Sequence, residues 1–223
     1  LSTTPSHVVV IPSTGQRVTL RPYTVKEEKV LLMAAESKSS ENILRAMCNL
    51  VFSCVVGESL HPADVRTFDL EFLFAQLRAI SVGETVSILS RCKYEECDGE
   101  TETSVNFSEA SVEVLDLETP LSSFIELNKN VSVMVSYITV EDLLNSPALL
   151  DDSDNARVAM SYEILRASIK KVMTPDQVFV FNEASREEQE KFVNEMTPIH
   201  TQAIAKHLDT TPVLKIHSKY TCS

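Results

Sequence analysis

A mixed α+β protein is predicted, with helical N-terminal and C-terminal parts packed around a small antiparallel sheet that bears a cysteine-tipped hairpin. Three observations predict it. Apolar residues recur at helical spacing in two stretches, about 24 to 81 and about 139 to 208. Between them, from Val82 to Val135, the pattern changes to strands. Two cysteines, Cys92 and Cys97, stand between two of those strand-like runs.

The N-terminal part opens with a hairpin. Val8 to Ile11 is a short β-branched run, closed by Pro12 and a Ser-Thr-Gly turn, and Arg17 to Leu20 alternates polar and apolar. Thr24 begins a helix with a capping box, Glu27 reaching back to the free amide of Thr24. Val30, Leu31, Ala34 and Ala35 are its expected buried side, and Lys26 to Lys29 its solvated first turn. Ser37 to Ser40 breaks the chain, and Ser39 or Ser40 caps the next helix. Its stripe is Ile43, Leu44, Met47, Leu50, Val51 and Cys54. His61-Pro62 marks a loop, with Asp64 as a cap for the approach to the central helix. That helix is the most patterned segment: Leu70, Leu73, Phe74, Leu77 and Ile80 keep helical spacing, and Phe68 and Phe72 widen the stripe. Gly83 supplies the turn that ends it.

The strands follow at once. Thr85 to Arg91 enters the cysteine loop, CKYEECDGE, and Thr101 to Phe107 leaves it, with Thr101, Thr103, Val105 and Phe107 on one side. Val112 to Leu115, Phe124 to Leu127 and Val131 to Tyr137 are further strands. Thr139 caps a brief helical turn that Pro147 breaks. A helix with Val158, Tyr162, Leu165, Ile169 and Val172 on one side is expected to run to Thr174-Pro175. Val178 to Phe181 is a short buried strand or an extended connector. Ser185 and Glu188 form a second capping box, opening a helix that buries Phe192 and Met196. Thr197-Pro198 starts the last helix, with Ile199, Ala203, Ile204 and Leu208 as its stripe. Thr210 to Ile216 closes the fold as an extended segment. No Pro-, Gly- or Ser-rich linker separates these blocks. We therefore read 1–223 as a single α+β domain with sub-blocks 1–81, 82–138 and 139–223.

Composition narrows the function. The formal net charge of −12 repels nucleic acid and anionic lipid and suits a basic partner. Only 4 glycines are present, which argues against glycine-rich phosphate loops and against a turn-dense all-β fold. No apolar run is long enough to span a bilayer. No charged-then-apolar leader follows Leu1, so an intracellular protein is expected. Five cysteines in such a chain read as thiols or metal ligands rather than a disulfide frame. Cys48 and Cys54 lie in an apolar helical run and read as buried small hydrophobes.

The remaining cysteines carry the one candidate site. Cys92 and Cys97 form a C-x4-C pair, one arm of a zinc knuckle. Cys222 is the third donor if the C-terminus folds back onto the hairpin, and His217 or a residue beyond Ser223 the fourth. A structural zinc is the expected cofactor, closing the fold without catalysing anything. Free surface thiols are the alternative. The acidic run Asp151 to Asn155 is not a calcium loop: with Asp152 first, Ala156 and Arg157 occupy positions that need a carboxylate and a glycine. His200 and His207 share one helix face and read as surface or rim residues. No zincin, nucleophile-elbow, P-loop or dinucleotide motif occurs, so no catalytic residue is nominated.

Two stretches carry a resemblance. Arg21-Pro22, Thr24, Glu27-Glu28-Lys29 and Leu31-Leu32 make one motif, and DLEFLFAQLRAISVGE from Asp69 to Glu84 makes a second, more specific one. Both resemble the T4-like phage baseplate hub family, small proteins tied to assembly of the contractile-tail baseplate. Cys92 and Cys97, Val105-Asn106-Phe107, Ser185 to Phe192 and Thr211 to Leu214 before Cys222 extend the likeness over nearly the whole chain. The resemblance implies a structural or assembly protein that binds other baseplate or tail proteins. It would work in the host cytoplasm during assembly and then in the virion tail, without nucleic acid, membrane or catalysis. The alternative is a zinc-ribbon-like adaptor that contacts nucleic acid or another partner through the cysteine hairpin. A third class, a hydrolase, would need a deep polar cleft.

Overall fold

The first hairpin shows how the chain closes locally. In a computed structural model, which describes residues 6–57, 59–92, 97, 99–113, 120–151, 156–219 and 221 (the side chains of 112 and 113 excepted), β1 (His7–Val10) pairs antiparallel with β2 (Arg17–Leu20). The Gly15 amide donates to the Ile11 carbonyl at 2.8 Å, and Gly15 takes φ 70°, which a side chain would resist. Val18 and Leu20 of β2 are buried.

Two helices follow, α1 (Val25–Glu36) and α2 (Ser40–Cys54). Glu27 accepts the Thr24 amide at 2.7 Å, the expected capping contact. The expected buried side of α1 is corrected: no residue of the helix is buried, and of the four expected there Val30 is 53% exposed, Ala35 is exposed, and Leu31 and Ala34 are half-buried. The first turn is not wholly solvated either. Half-buried Glu27 pairs with Arg21 at 2.7 Å, and hydrogen bonds from Arg21 hold its carboxyl down to about 2 against the opposing effect of burial. The helix α2 is amphipathic and buries Cys48, Leu50, Val51 and Cys54. Burial pushes the Cys48 thiol up to about 11, as expected of a packed, unreactive thiol. A two-residue strand, β3 (Val55–Val56), completes the sheet β1-β2-β3.

The central helix, α3 (Thr67–Val82), is as the periodicity predicts. Phe68, Leu70, Leu73 and Leu77 are buried, each contributing about 1.5–3 kcal/mol. Gly83 ends it at φ 127°. Asp64 does not cap the approach to it, a short turn over Pro62–Asp64 that His61 caps; the start of α3 is closed by Asp69, three residues past its N-cap Arg66 and 0% exposed. One Asp69 oxygen accepts the Arg66 amide at 2.9 Å and the other accepts the Ser13 amide at 2.9 Å. The carboxylate thus pins the first hairpin to the start of the helix.

The cysteine hairpin is not part of a central sheet. Among the described residues its strands, β4 (Thr85–Arg91) and β5 (Glu100–Asn106), pair only with each other. Thr103 and Val105 face inward, on the side predicted. A short β6 (Ser111–Glu113) comes next. The largest sheet is built later. Its strands are β7 (Ser122–Asn128) and β8 (Val131–Ser136), then, beyond α4 (Val140–Asn145) and α5 (Arg157–Ser168), β9 (Ile169–Met173) and β10 (Val178–Val180). The order is β10-β9-β8-β7, all antiparallel.

Here the predicted long helix is corrected. It stops at Ser168, and Ile169 to Met173 is strand. Ile169 and Val172 fit the helical stripe by spacing, but both are β-branched and sit opposite Val135 and Val133 of β8. Tertiary pairing outweighs periodicity there. The chain ends with α6 (Arg186–Asn194), capped by Ser185 and Glu188 as predicted, then α7 (Pro198–Leu208) and β11 (Val213–Lys215), which pairs with β6. Ile199 is 77% exposed and drops out of the α7 stripe, while His207 enters it.

The described residues form two apolar clusters. One joins β2, α2 and α3; the other joins β8, α5, α6 and α7. Between them, the Thr67 amide donates to the Ile138 carbonyl at 3.2 Å and the Val140 amide to the Val65 carbonyl at 2.8 Å. Buried Tyr137 meets Phe68 edge-on at 6.1 Å and stacks on His207 at 4.7 Å. Among the described residues no helix is long and apolar enough to cross a membrane.

Asp69→Ala would leave the Ser13 and Arg66 amides without their acceptor. We expect a loss of about 2–4 kcal/mol in urea unfolding. Asp64→Ala should change stability by less than about 0.5 kcal/mol; equal losses would show that Asp69 is not the anchor.

Candidate functional site

The sequence nominates Cys92, Cys97 and Cys222. Cys92 is the first residue past β4, and its amide donates to the Gly99 carbonyl at 2.9 Å, closing the ribbon. Cys92 and Cys97 are both half-exposed. Residues 93–96, residue 98 and Cys222 lie outside the described residues, so the tip and the third donor are not placed. The neighbour of Cys222 is placed: the Thr101 hydroxyl, on β5, donates to the Thr221 carbonyl at 3.4 Å. The C-terminal segment therefore returns to this ribbon. His217 is exposed, and among the described residues no three His, Cys, Asp or Glu side chains converge as metal ligands.

A second feature gave no sequence signal. An open groove of about 670 Å³ lies where the two clusters meet. Thr67 at the start of α3 and Ile138 at the end of β8 line it, both from the seam already described. Leu165 on α5 and Leu149 after α4 are nearly buried within it. Tyr162 on α5 is 55% exposed, as a residue at the mouth should be. Its spacing puts it on one side of α5 with Leu165, which is buried. Asp209, just past α7, lines the same groove.

Beside it a polar cleft is held by charge. Glu163 is 4% exposed and accepts hydrogen bonds from Ser146, from Arg166 at 3.1 Å and from Arg186 at 2.7 Å. Burial alone would raise its carboxyl, but the bonds from Arg166, Ser146 and Arg186 outweigh this and hold it at about 2. Arg166 also donates to Gln189, whose amide group donates to the Phe181 and Ala184 carbonyls. The cluster ties α5 to α6. Its polar groups are satisfied by one another, which is the signature of a structural network.

His207 is corrected from a rim residue to a core one: it is 6% exposed, stacked on Tyr137, with Nδ1 3.1 Å from the Ser123 hydroxyl. Burial lowers its pKa and so disfavours the charged ring. Nε2 has no hydrogen-bond partner among the described residues.

Two acid-driven losses of stability follow. Both groups have folded pKa values below their unfolded ones, so each contributes stability that is present above the unfolded pKa and lost as pH falls. The His207 contribution should begin to fade below pH 6.5 and the Glu163 contribution below pH 4.5. His207→Phe should abolish the first decline in pH-dependent unfolding and leave the second. Glu163→Gln should shrink the second, part of which belongs to Glu27, and cost about 3 kcal/mol at neutral pH, because Arg166 loses its buried partner. An unchanged pH profile in either variant would refute the assignment.

Comparison with known proteins adds the family. A family model described as T4 bacteriophage base plate protein matches residues 4–223, essentially the whole chain. No curated protein matches the chain, and no solved structure does.

Proposed function

The chain belongs to the T4 bacteriophage base plate protein family, and from that membership we propose that it serves baseplate hub formation by binding other phage tail proteins. The match over residues 4–223 is the observation that carries this reading. The surface supports it. On α1, Val25, Leu32 and Met33 are 81%, 58% and 60% exposed, a ridge of apolar side chains left open to solvent. Every residue of the edge strand β10 is exposed, including Phe179. Apolar side chains gathered on an open face are a mark of interaction surfaces. The acidic net charge steers basic partners toward them. In this reading the protein carries no catalytic centre and acts first in the host cytoplasm, as hub subunit or assembly factor, and then in the tail. Affinity purification from infected cells should recover baseplate proteins of the same phage. Recovery of none, with the tagged protein folded and soluble, would overturn the proposal.

We also propose that Cys92, Cys97 and Cys222 hold a structural zinc. The return of Thr221 to β5 supports it, since Cys222 is the next residue. Thiolates are the donors such a site uses, and closure by four ligands would fix the C-terminus to the ribbon. Elemental analysis should find about one zinc per chain, and Cys92→Ser should release it and lower thermal stability. Zinc-free protein with all three thiols open to alkylation would remove the metal.

A further inference from the structure

We propose that the groove between α5 and α7 is the docking site for an apolar segment of another baseplate protein, one that carries a lysine or arginine beside its apolar residues. This rests on the baseplate reading above and specifies the partner's chemistry. The argument has three parts. First, the groove is apolar where it is deep: Leu149 and Leu165 line it and are 9% and 7% exposed. Tyr162, Gln202 and Ala205 at its edge are exposed. An apolar wall open to solvent gains when another apolar surface covers it.

Second, the groove carries one uncompensated charge. Asp209 is the only carboxylate or formal charge among its lining residues, and among the described residues no cation pairs with it. Asp209 is the C-terminal cap of α7, whose last turn also carries Lys206 and His207. The His207 and Leu208 carbonyls of that turn are taken by the Thr210 and Thr211 hydroxyls, and among the described residues Lys206 forms no ion pair with Asp209, so the carboxylate itself is the charge that an arriving side chain meets. Charge complementarity therefore selects a basic group at this point of the rim. The net charge of −12 brings such a partner in with the same sign of preference.

Third, the groove lies at the junction of the two clusters, with Thr67 on one side of the seam and Ile138 on the other. A segment seated there touches both halves of the molecule at once. Sites of recognition concentrate at such junctions.

The test uses the full-length chain and a panel of the phage's other baseplate proteins, each expressed singly and measured pairwise by biolayer interferometry. Ala205→Trp fills the groove from an exposed helix position, and Asp209→Lys reverses its charge. Both variants are first matched to the parent by circular dichroism and melting temperature. At least one panel member should bind the parent. Ala205→Trp should weaken that binding by about thirtyfold or more. Asp209→Lys should weaken it too and flatten its salt dependence. Binding retained by both variants would overturn the groove assignment while leaving the baseplate reading intact. No binding by any panel member would overturn both. A dimer of the parent that Ala205→Trp dissolves, or a small molecule that co-purifies with the parent and not with this variant, would assign the groove to that occupant instead.

Discussion

One buried carboxylate sets the geometry of the N-terminal half. Asp69 has no contact with solvent, and its two oxygens take the backbone amides of Ser13 and Arg66. Both acceptor positions matter, because an unmade bond inside a protein costs the full desolvation of the group. The same residue therefore aligns the first hairpin, fixes where α3 begins and orients the stretch just before it. That stretch, Val65 to Thr67, is the one that exchanges backbone hydrogen bonds with Ile138 and Val140. Position propagates from a single side chain to the contact between the two apolar clusters.

The second half is organised on different physics. Its sheet is long-range, joining β7 and β8 to β9 and β10 across two intervening helices. Helix α6 is tied to α5 through Glu163, where a charge inside the fold is made tolerable by two guanidinium groups and a serine. Tyr137 then bridges the halves, against Phe68 on one side and His207 on the other, with its hydroxyl on Thr210. The groove and the polar cleft are by-products of this joint, and they differ sharply. In the cleft the charges answer one another; in the groove the carboxylate of Asp209 has no cation beside it among the described residues.

Elements governed by local signals could be read directly from the residues. The caps at Thr24, Ser39, Thr139 and Ser185, the stripe of α3 and the stop at Gly83 all depend on neighbours within a few positions. The family too was legible, because its two motifs are contiguous. What depended on distant partners was not. Ile169 and Val172 keep helical spacing yet pair with β8, and nothing local distinguishes the two outcomes. His207 looks like a rim residue until Tyr137 is brought against it. Asp69 takes the amide of nearby Arg66, but its second bond comes from Ser13, 56 residues away, which nothing beside Asp69 announces. The groove had no signature at all, since it is made by residues from four separate stretches of chain. The cysteine pair was visible as a motif, but its completion depends on where the C-terminus travels, which spacing cannot express.

The exterior position of α1 has a consequence for how such a protein changes over time. None of its twelve residues is buried, so substitutions on its outward ridge leave the cores untouched and are close to neutral for folding. Glu27 and Leu31 secure the helix from the opposite side. Val25, Leu32 and Met33 are thereby released from the packing constraints that hold α3 nearly fixed. Selection can retune that ridge to a diverging neighbour one residue at a time, while the scaffold that carries it stays as it is.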